Sequence, residues 1–249
     1  MKAETVIQQA KASFDRVLAN EKYAGIIRDD RHLALLLGML NVQENSSILD
    51  LGTGNGYLAF PLAAQHPSVQ VCGLDIAPEA IARANVTAQE QGLVNARFLA
   101  YDGLHFPFAP ASFDLIVTRY ALHHFPQPDA MLSALHSLLK PGGHILVADP
   151  MAHGNDDRRL IDSLMTIKGD GHICFYKQAE LAELFHRHHF AVEKQIISHM
   201  RYPFPRNDAY NTLFAQTSET ERQMYQLSDR DGIVWVGQIE VGNTLFVRQ

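Results

Sequence analysis

The chain has 249 residues, of which 47% are hydrophobic, 19% charged and 9% aromatic. That length and composition suit one α/β domain with a cap and exclude collagen, marginal mini-folds and intrinsic disorder. Twenty-one Lys plus Arg against 27 Asp plus Glu give a formal charge of -6, with no basic run longer than a pair, which counts against a protein that grips a nucleic-acid backbone.

The first forty residues read as helical, with Val6, Ala10, Phe14, Val17 and Leu18 at three- and four-residue spacing and a second helix over 32–40. A helical preface of this kind cannot bury its own stripe, so residues 1–40 are expected to fold back as a cap. No apolar run here is long enough to cross a bilayer; RHLALLLGML (31–40) falls far short.

From residue 47 the period changes. The spacing predicts strands over 48–52, 69–75, 96–100, 113–119 and 144–150, alternating with helices over 57–66, 78–91 and 129–140. Pro78 opens the second of these helices, where its missing amide donor costs nothing. Five apolar strands alternating with helices are the pattern of a mostly parallel, doubly wound α/β sheet covered on both faces. After Pro150 come helices over 160–167 and 177–189, a strand over 190–199 and a final strand with its core at 244–247. Residues 201–232 are expected to form an insertion between the last two strands, within a single domain spanning 1–249. Cys72 and Cys174 show no disulfide framework and point to a reducing cytoplasm. Thirteen histidines occur without HExxH or CxxC spacing, so no metal site is expected.

The turn LDLGTGNGYL places Gly52, Gly54 and Gly56 between a strand and a helix, where glycine permits positive φ and close approach of a ligand to the backbone. The third glycine comes one place too early for the dinucleotide fingerprint, and no Lys-Ser or Lys-Thr completes a phosphate loop. Asp75 ends the second strand 23 residues after Gly52, where it either accepts the ribose hydroxyls of an adenosine or caps the following helix.

These motifs resemble the class I S-adenosylmethionine-dependent methyltransferases, in particular the small-molecule branch with the ubiquinone and menaquinone C-methyltransferases. The likeness is strong over 46–150 and weak elsewhere. ILDLGTGNG resembles the first family motif, which implies that Gly52, Thr53, Gly54, Asn55 and Gly56 wrap the methionine part of the cofactor. GLDIAP then sets Asp75 at the ribose and Ile76 beside the adenine. AYDGLHFPF is similar to GDAxxLPF, which implies Asp102 at the adenine amino group and Gly103 at an adjacent backbone contact. FDLIVTRYALHHF is similar to the motif after strand four and brings Arg119 and Tyr120 to the cofactor cleft, and LLKPGGHILVADP resembles the strand-five motif. The resemblance implies S-adenosyl-L-methionine as cofactor, methyl transfer as activity, and a Rossmann-like, seven-stranded sheet whose last strand is antiparallel. Tyr101 stands where the family has glycine and Arg119 where small residues are common, which implies a narrower or more positive cleft.

A base is needed only if the acceptor arrives protonated. His123 and His124, after the fourth strand, either take that proton or hold the loop; being adjacent, one is expected to point away. Asp149 faces the same crevice or caps the next helix, and Asp114 reads as structural. Arg119 with Tyr120, or Arg201, Tyr202 and Arg206 in RYPFPR, can fix an anionic acceptor; the competing reading of RYPFPR is a solvated loop. The chain reads TRYALHH where nucleic-acid and protein amino-methylating enzymes carry [DNS]PP[YF], so a small organic acceptor is favoured. Phe14, Tyr23, Tyr202 and Phe204 are the expected lining of its pocket. The alternative is a non-catalytic cofactor-binding protein on the same fold.

Overall fold

Alternation along the central strands sends neighbouring side chains into two different cores. β1 (Ser47–Leu51) directs Leu49 and Leu51 to one face and Ile48 to the other, and β4 (Phe113–Arg119) divides Ile116 from Val117 in the same way. A strand buried on both faces must be covered twice, and the computed structural model, which describes residues 3–18, 28–205, 207–230 and 233–249, shows helices on both sides. On the first face lie α5 (Pro128–Leu138) and α7 (Gln178–Arg187). On the second lie α2 (Asp30–Leu37), α3 (Ala59–Gln65) and α4 (Pro78–Glu90).

The strand order is β3-β2-β1-β4-β5-β8-β6, with β2 (Gln70–Asp75), β3 (Ala96–Ala100), β5 (Leu139–Met151), β6 (Phe190–Pro205) and β8 (Ile233–Arg248). The first five are parallel, and β8 runs antiparallel between β5 and β6. This is the expected doubly wound path of seven strands; β7 (Ser228–Arg230) adds an eighth against β8. The order reverses between β1 and β4, and a crevice opens there beyond the carboxyl ends of the strands.

Of the boundaries that differ from the sequence reading, two bear on the cap and the central sheet. β6 continues through RYPFP, so the insertion proper begins after it, with α8 (Asp208–Ala215), α9 (Glu219–Met224) and β7. Pro203 and Pro205 are tolerated because β6 is an edge strand, where a missing N–H removes no bond from the outer side. Helix α5 stops at Leu138, since Leu139 already pairs with Phe113 in the sheet.

A third cluster joins α6 (Leu160–Thr166) to the insertion through Ile161, Leu164, Phe204, Tyr210 and Tyr225. α1 (Ala3–Leu18) lies across the carboxyl edge, burying Val6, Ile7 and Ala10.

Candidate active site

The turn after β1 is clamped by carboxylates from two neighbouring strands. Gly52, Gly54 and Gly56 have φ of 72°, 51° and 75°. A Cβ on Gly52 would stand 2.5 Å from the Ala121 methyl, so glycine is required there twice over. Asp50 accepts from Thr53 Oγ1 at 2.7 Å and from the Ala59 N–H at 3.1 Å, while Asp75 accepts from the Gly54 N–H at 2.8 Å and the Ala77 N–H at 3.0 Å. Burial pushes Asp50 up to about 7 and raises Asp75 as well, against the pull of these donors.

Arg119, at the end of β4, lies between two aromatic faces, its guanidinium carbon 3.9 Å from the ring centres of Tyr57 and Tyr120. Its Nε donates to His32 Nδ1 at 3.2 Å, and His32 Nε2 donates to Asn243 Oδ1 at 2.7 Å, which fixes a neutral imidazole and ties α2 to β8. Burial, then the neighbouring guanidinium, lowers the His32 pKa against the Asn243 bond.

Next to this cation the chain makes a short 3-10 turn over Leu122–His124. Strand logic puts adjacent side chains on opposite sides; the turn instead places both His123 and His124 on the cavity wall, their rings 4.1 Å apart. This corrects the expectation that one of them points away. His123 Nδ1 lies 3.0 and 2.9 Å from the two oxygens of Asp149, and its backbone N–H donates to the same carboxylate at 3.2 Å. Asp149 therefore does not cap the next helix, whose first amides are taken by Asp156. Burial raises Asp149 to about 8 and drives His123 well below its ordinary value, so the pair holds one shared proton near neutrality. With Nδ1 engaged, His123 Nε2 is the nitrogen turned away from the carboxylate. His124 meets Phe14 of α1 edge to face at 4.8 Å.

These groups open on one cavity of about 500 Å³. Gly52, Thr53, Gly54, Asn55, Gly56, Asp75, Ile76, Gly103, Arg119, His123 and His124 all line it, as do Phe14 and Tyr202. Asp102 does not: its carboxylate accepts from the amides of Leu104 and His105, both at 2.7 Å, and bonds the His105 ring at 2.6 Å. Those bonds hold it at about 2 and turn it into its own exposed loop, away from the lining of this cavity. Phe204 is buried in the third cluster instead of lining the cavity. Tyr23 and Arg206 lie outside the described residues. Of segment 201–232, Tyr202 reaches the wall; the rest of that side comes from Met165, Lys168, Asp170, Phe175, Met200 and Ile239. Sequence reasoning passed over Asp50, Lys168 and Asp170. The flanking glycines of KGDGH, with φ of 66° at Gly169 and 79° at Gly171, are the signal of a tight turn that could have drawn attention to Asp170. Asp114 is structural as expected, accepting from the Ser47 N–H and from Lys140. Among the described residues no group of three or more His, Cys, Asp or Glu is arranged to hold a metal ion.

The methyltransferase domain family matches residues 42–201. The chain is 37% identical over 102 residues to the demethylmenaquinone methyltransferase of Thermus thermophilus, a match covering 41% of this chain and 46%, about half, of that protein. It is 32% identical over 179 residues to the ubiquinone biosynthesis O-methyltransferase of Xylella fastidiosa, covering 67% of this chain and 68% of the other. The crystal structure of YcgJ from Bacillus subtilis shares the fold, with a TM-score of 0.79 over 89% of this chain and 99% of that one at 20% identity. Fold, glycine turn and matched family agree: the chain belongs to the class I S-adenosylmethionine-dependent methyltransferases.

Proposed function

We propose that the protein transfers a methyl group from S-adenosylmethionine to a small organic acceptor, with the His123–Asp149 pair as its base. The observation that carries the reading is a single cavity whose wall joins the clamped glycine turn to that pair. The residues fit the cofactor. Backbone at positive φ leaves no Cβ between ligand and turn, Asp75 lines the cavity and keeps lone pairs beyond its two backbone bonds, and the Arg119 guanidinium suits a carboxylate.

Gly52, Thr53, Gly54, Asn55 and Gly56 then hold the methionine part, Arg119 its carboxylate, Asp75 the ribose, and Ile76 with the backbone of Gly103 the adenine. Asp102 contributes indirectly, by bonding the amides that set the loop of Gly103. When bound, S-adenosylmethionine supplies a methyl group activated by a sulfonium. His123 Nε2 accepts the acceptor's proton, and Asp149 orients the ring and stabilises the positive charge it gains. α1 covers the cavity and excludes water through Ile7, Ala10 and Phe14. An acidic chain supports a small molecule over a nucleic acid, and two free cysteines support a reducing, cytoplasmic setting. Among the described residues no helix is long and apolar enough to cross a membrane.

The test is isothermal titration with S-adenosylmethionine followed by a radiolabelled-methyl screen over small phenols, enols and amines. Cofactor binding with transfer to one of them is the expected result. Tight binding with no transfer to any class of acceptor supports the non-catalytic alternative.

A further inference from the structure

Arg119 is held by more than its own strand. The Tyr57 and Tyr120 rings enclose it, the Tyr120 hydroxyl bonds the same side chain, and its Nε donates to His32 Nδ1. His32 is buried, with its ring stacked on Tyr120 at 5.7 Å between centres. Behind it stands Asn243, 0% exposed within β8 and 211 residues further along the chain. Asparagine is depleted inside strands, and a buried amide must have its bonds made, so its presence at this position calls for a reason.

The bonds of Asn243 fix which way its amide points. Its Nδ2 lies 2.9 Å from the Ile196 carbonyl oxygen and 3.2 Å from that of Val241, groups that can only accept, and 2.9 Å from Ser198 Oγ. Oδ1 therefore faces His32, where it too can only accept. The imidazole hydrogen is drawn to Nε2, and Nδ1 presents a lone pair. An imidazolium, or the other tautomer, would set two donors against each other at Arg119 Nε.

We propose that His32 and Asn243 are positioning residues for the methyl donor: Asn243 sets the tautomer, and the Nδ1 it exposes holds the Arg119 guanidinium in register for the carboxylate of S-adenosylmethionine. This rests on the methyltransferase reading above. Arg119 and the glycine turn line the same cavity, and a carboxylate gains most from a cation whose orientation is fixed before it arrives, since little ordering is left to binding. An arginine free to turn would keep its charge and lose the fork geometry. An apolar side chain at position 243 would fill the sheet equally well; what the amide adds is a choice between the two nitrogens of a distant ring.

The experiment titrates the full chain by calorimetry with S-adenosylmethionine and with its decarboxylated form, which lacks only the carboxylate. The wild type is expected to bind the first about tenfold or more tightly, and Arg119→Met to cut that preference to within about threefold. Two substitutions then separate holding the arginine from holding the fold. His32→Gln places an amide where Nε2 reaches Asn243 and offers nothing in the place of Nδ1; its preference is expected to fall to within about threefold, with the decarboxylated form bound as in the wild type. His32→Asn places an oxygen near the position of Nδ1 and gives up Asn243; it is expected to keep a preference of about fivefold or more while melting lower. NMR of isotopically labelled histidine in the wild type is expected to show the His32 hydrogen on Nε2. Equal affinity for the two ligands in the wild type, a full preference in Arg119→Met or His32→Gln, both ligands weakened alike in His32→Gln, no preference in His32→Asn, or a hydrogen on Nδ1 each overturns the proposal and leaves the methyltransferase reading standing. Failure of the wild type to bind S-adenosylmethionine or S-adenosylhomocysteine overturns that reading and the proposal with it.

Discussion

Asp75 stands at the end of β2, where its two oxygens tie the glycine turn to the start of α4. One oxygen receives the Ala77 N–H at the start of α4, and the other receives the Gly54 N–H of the glycine turn. Because burial already raises its pKa, the fold gains little from its charge, whereas a ligand hydroxyl gains a charged acceptor. Asp75→Asn is therefore expected to weaken S-adenosylmethionine by about tenfold, in line with the roughly 1.5–3 kcal/mol of a bond to a charged group, while the melting temperature changes little. Calorimetry beside a melting curve checks this, and equal affinity with a large drop in melting temperature would return Asp75 to helix capping alone. The His123–Asp149 pair makes a prediction with a definite sign. Whichever atom holds the shared proton, Nε2 becomes a base only when that proton has left, so kcat/KM is expected to rise with pH through about 8. Lys168, His124 and His172 nearby all favour loss of the proton, and Asp170 opposes it. His123→Asn is expected to lower kcat by about a hundredfold or more and to abolish this rise. An unchanged profile would assign the base elsewhere.

At the scale of elements, α1 touches both halves of the cavity through two glycines. Its Ile7 faces Gly103 and its Ala10 faces Gly171, where an added Cβ would stand 2.8 Å from the Ala10 methyl and 3.1 Å from the Val6 carbonyl oxygen. Gly171→Ala, strained also by a φ of 79°, is expected to push α1 off the cavity and speed hydrogen exchange over residues 3–18. Exchange there that matches the wild type, in a folded variant, would show that α1 does not depend on this contact. The helix was legible in the sequence because its stripe is periodic; what it covers was not, since nothing local to α1 names a glycine more than 150 residues away. The same limit explains β6 and β8. Their outer halves, around RYPFP and IVWVGQ, carry prolines, a glycine and mixed polarity, and they become strands by pairing with one another from Tyr202 with Val236 to Pro205 with Ile233.

For the whole molecule, the parallel half of the sheet was readable almost to the residue because each strand there is a continuous apolar run between turn signals. The candidate site was readable where it follows a strand end, at Gly52 to Gly56, Asp75, Arg119 and His123. It was not readable where a short loop decides which way a carboxylate turns, as at Asp102, or at Lys168 and Asp170, whose turn meets Tyr202 and His124 only across long separations. Buried acids also set the response of the whole fold to pH. Asp50 and Asp149 have folded values raised from 3.8 to about 7 and about 8, so the stability each contributes is present in full below the unfolded value and is lost as pH rises through the folded one. The wild type is expected to melt several degrees lower at about pH 8.5 than at about pH 5.5, and Asp50→Asn to narrow that gap. Thermal melts across that range check it; a gap of the same size in the variant would remove Asp50 as a contributor.

The two walls of the cavity are drawn from different stretches of the chain. One stretch of the lining lies within residues 50–126 and another within 150–175 together with Met200, Tyr202 and Ile239; in the proposed function the first holds the methyl donor and the second the recipient. Drift in the second set leaves the glycine turn and its carboxylate clamps untouched. A lineage built on this plan can therefore change which molecule it modifies by altering its later segments, while inheriting the same methyl source intact.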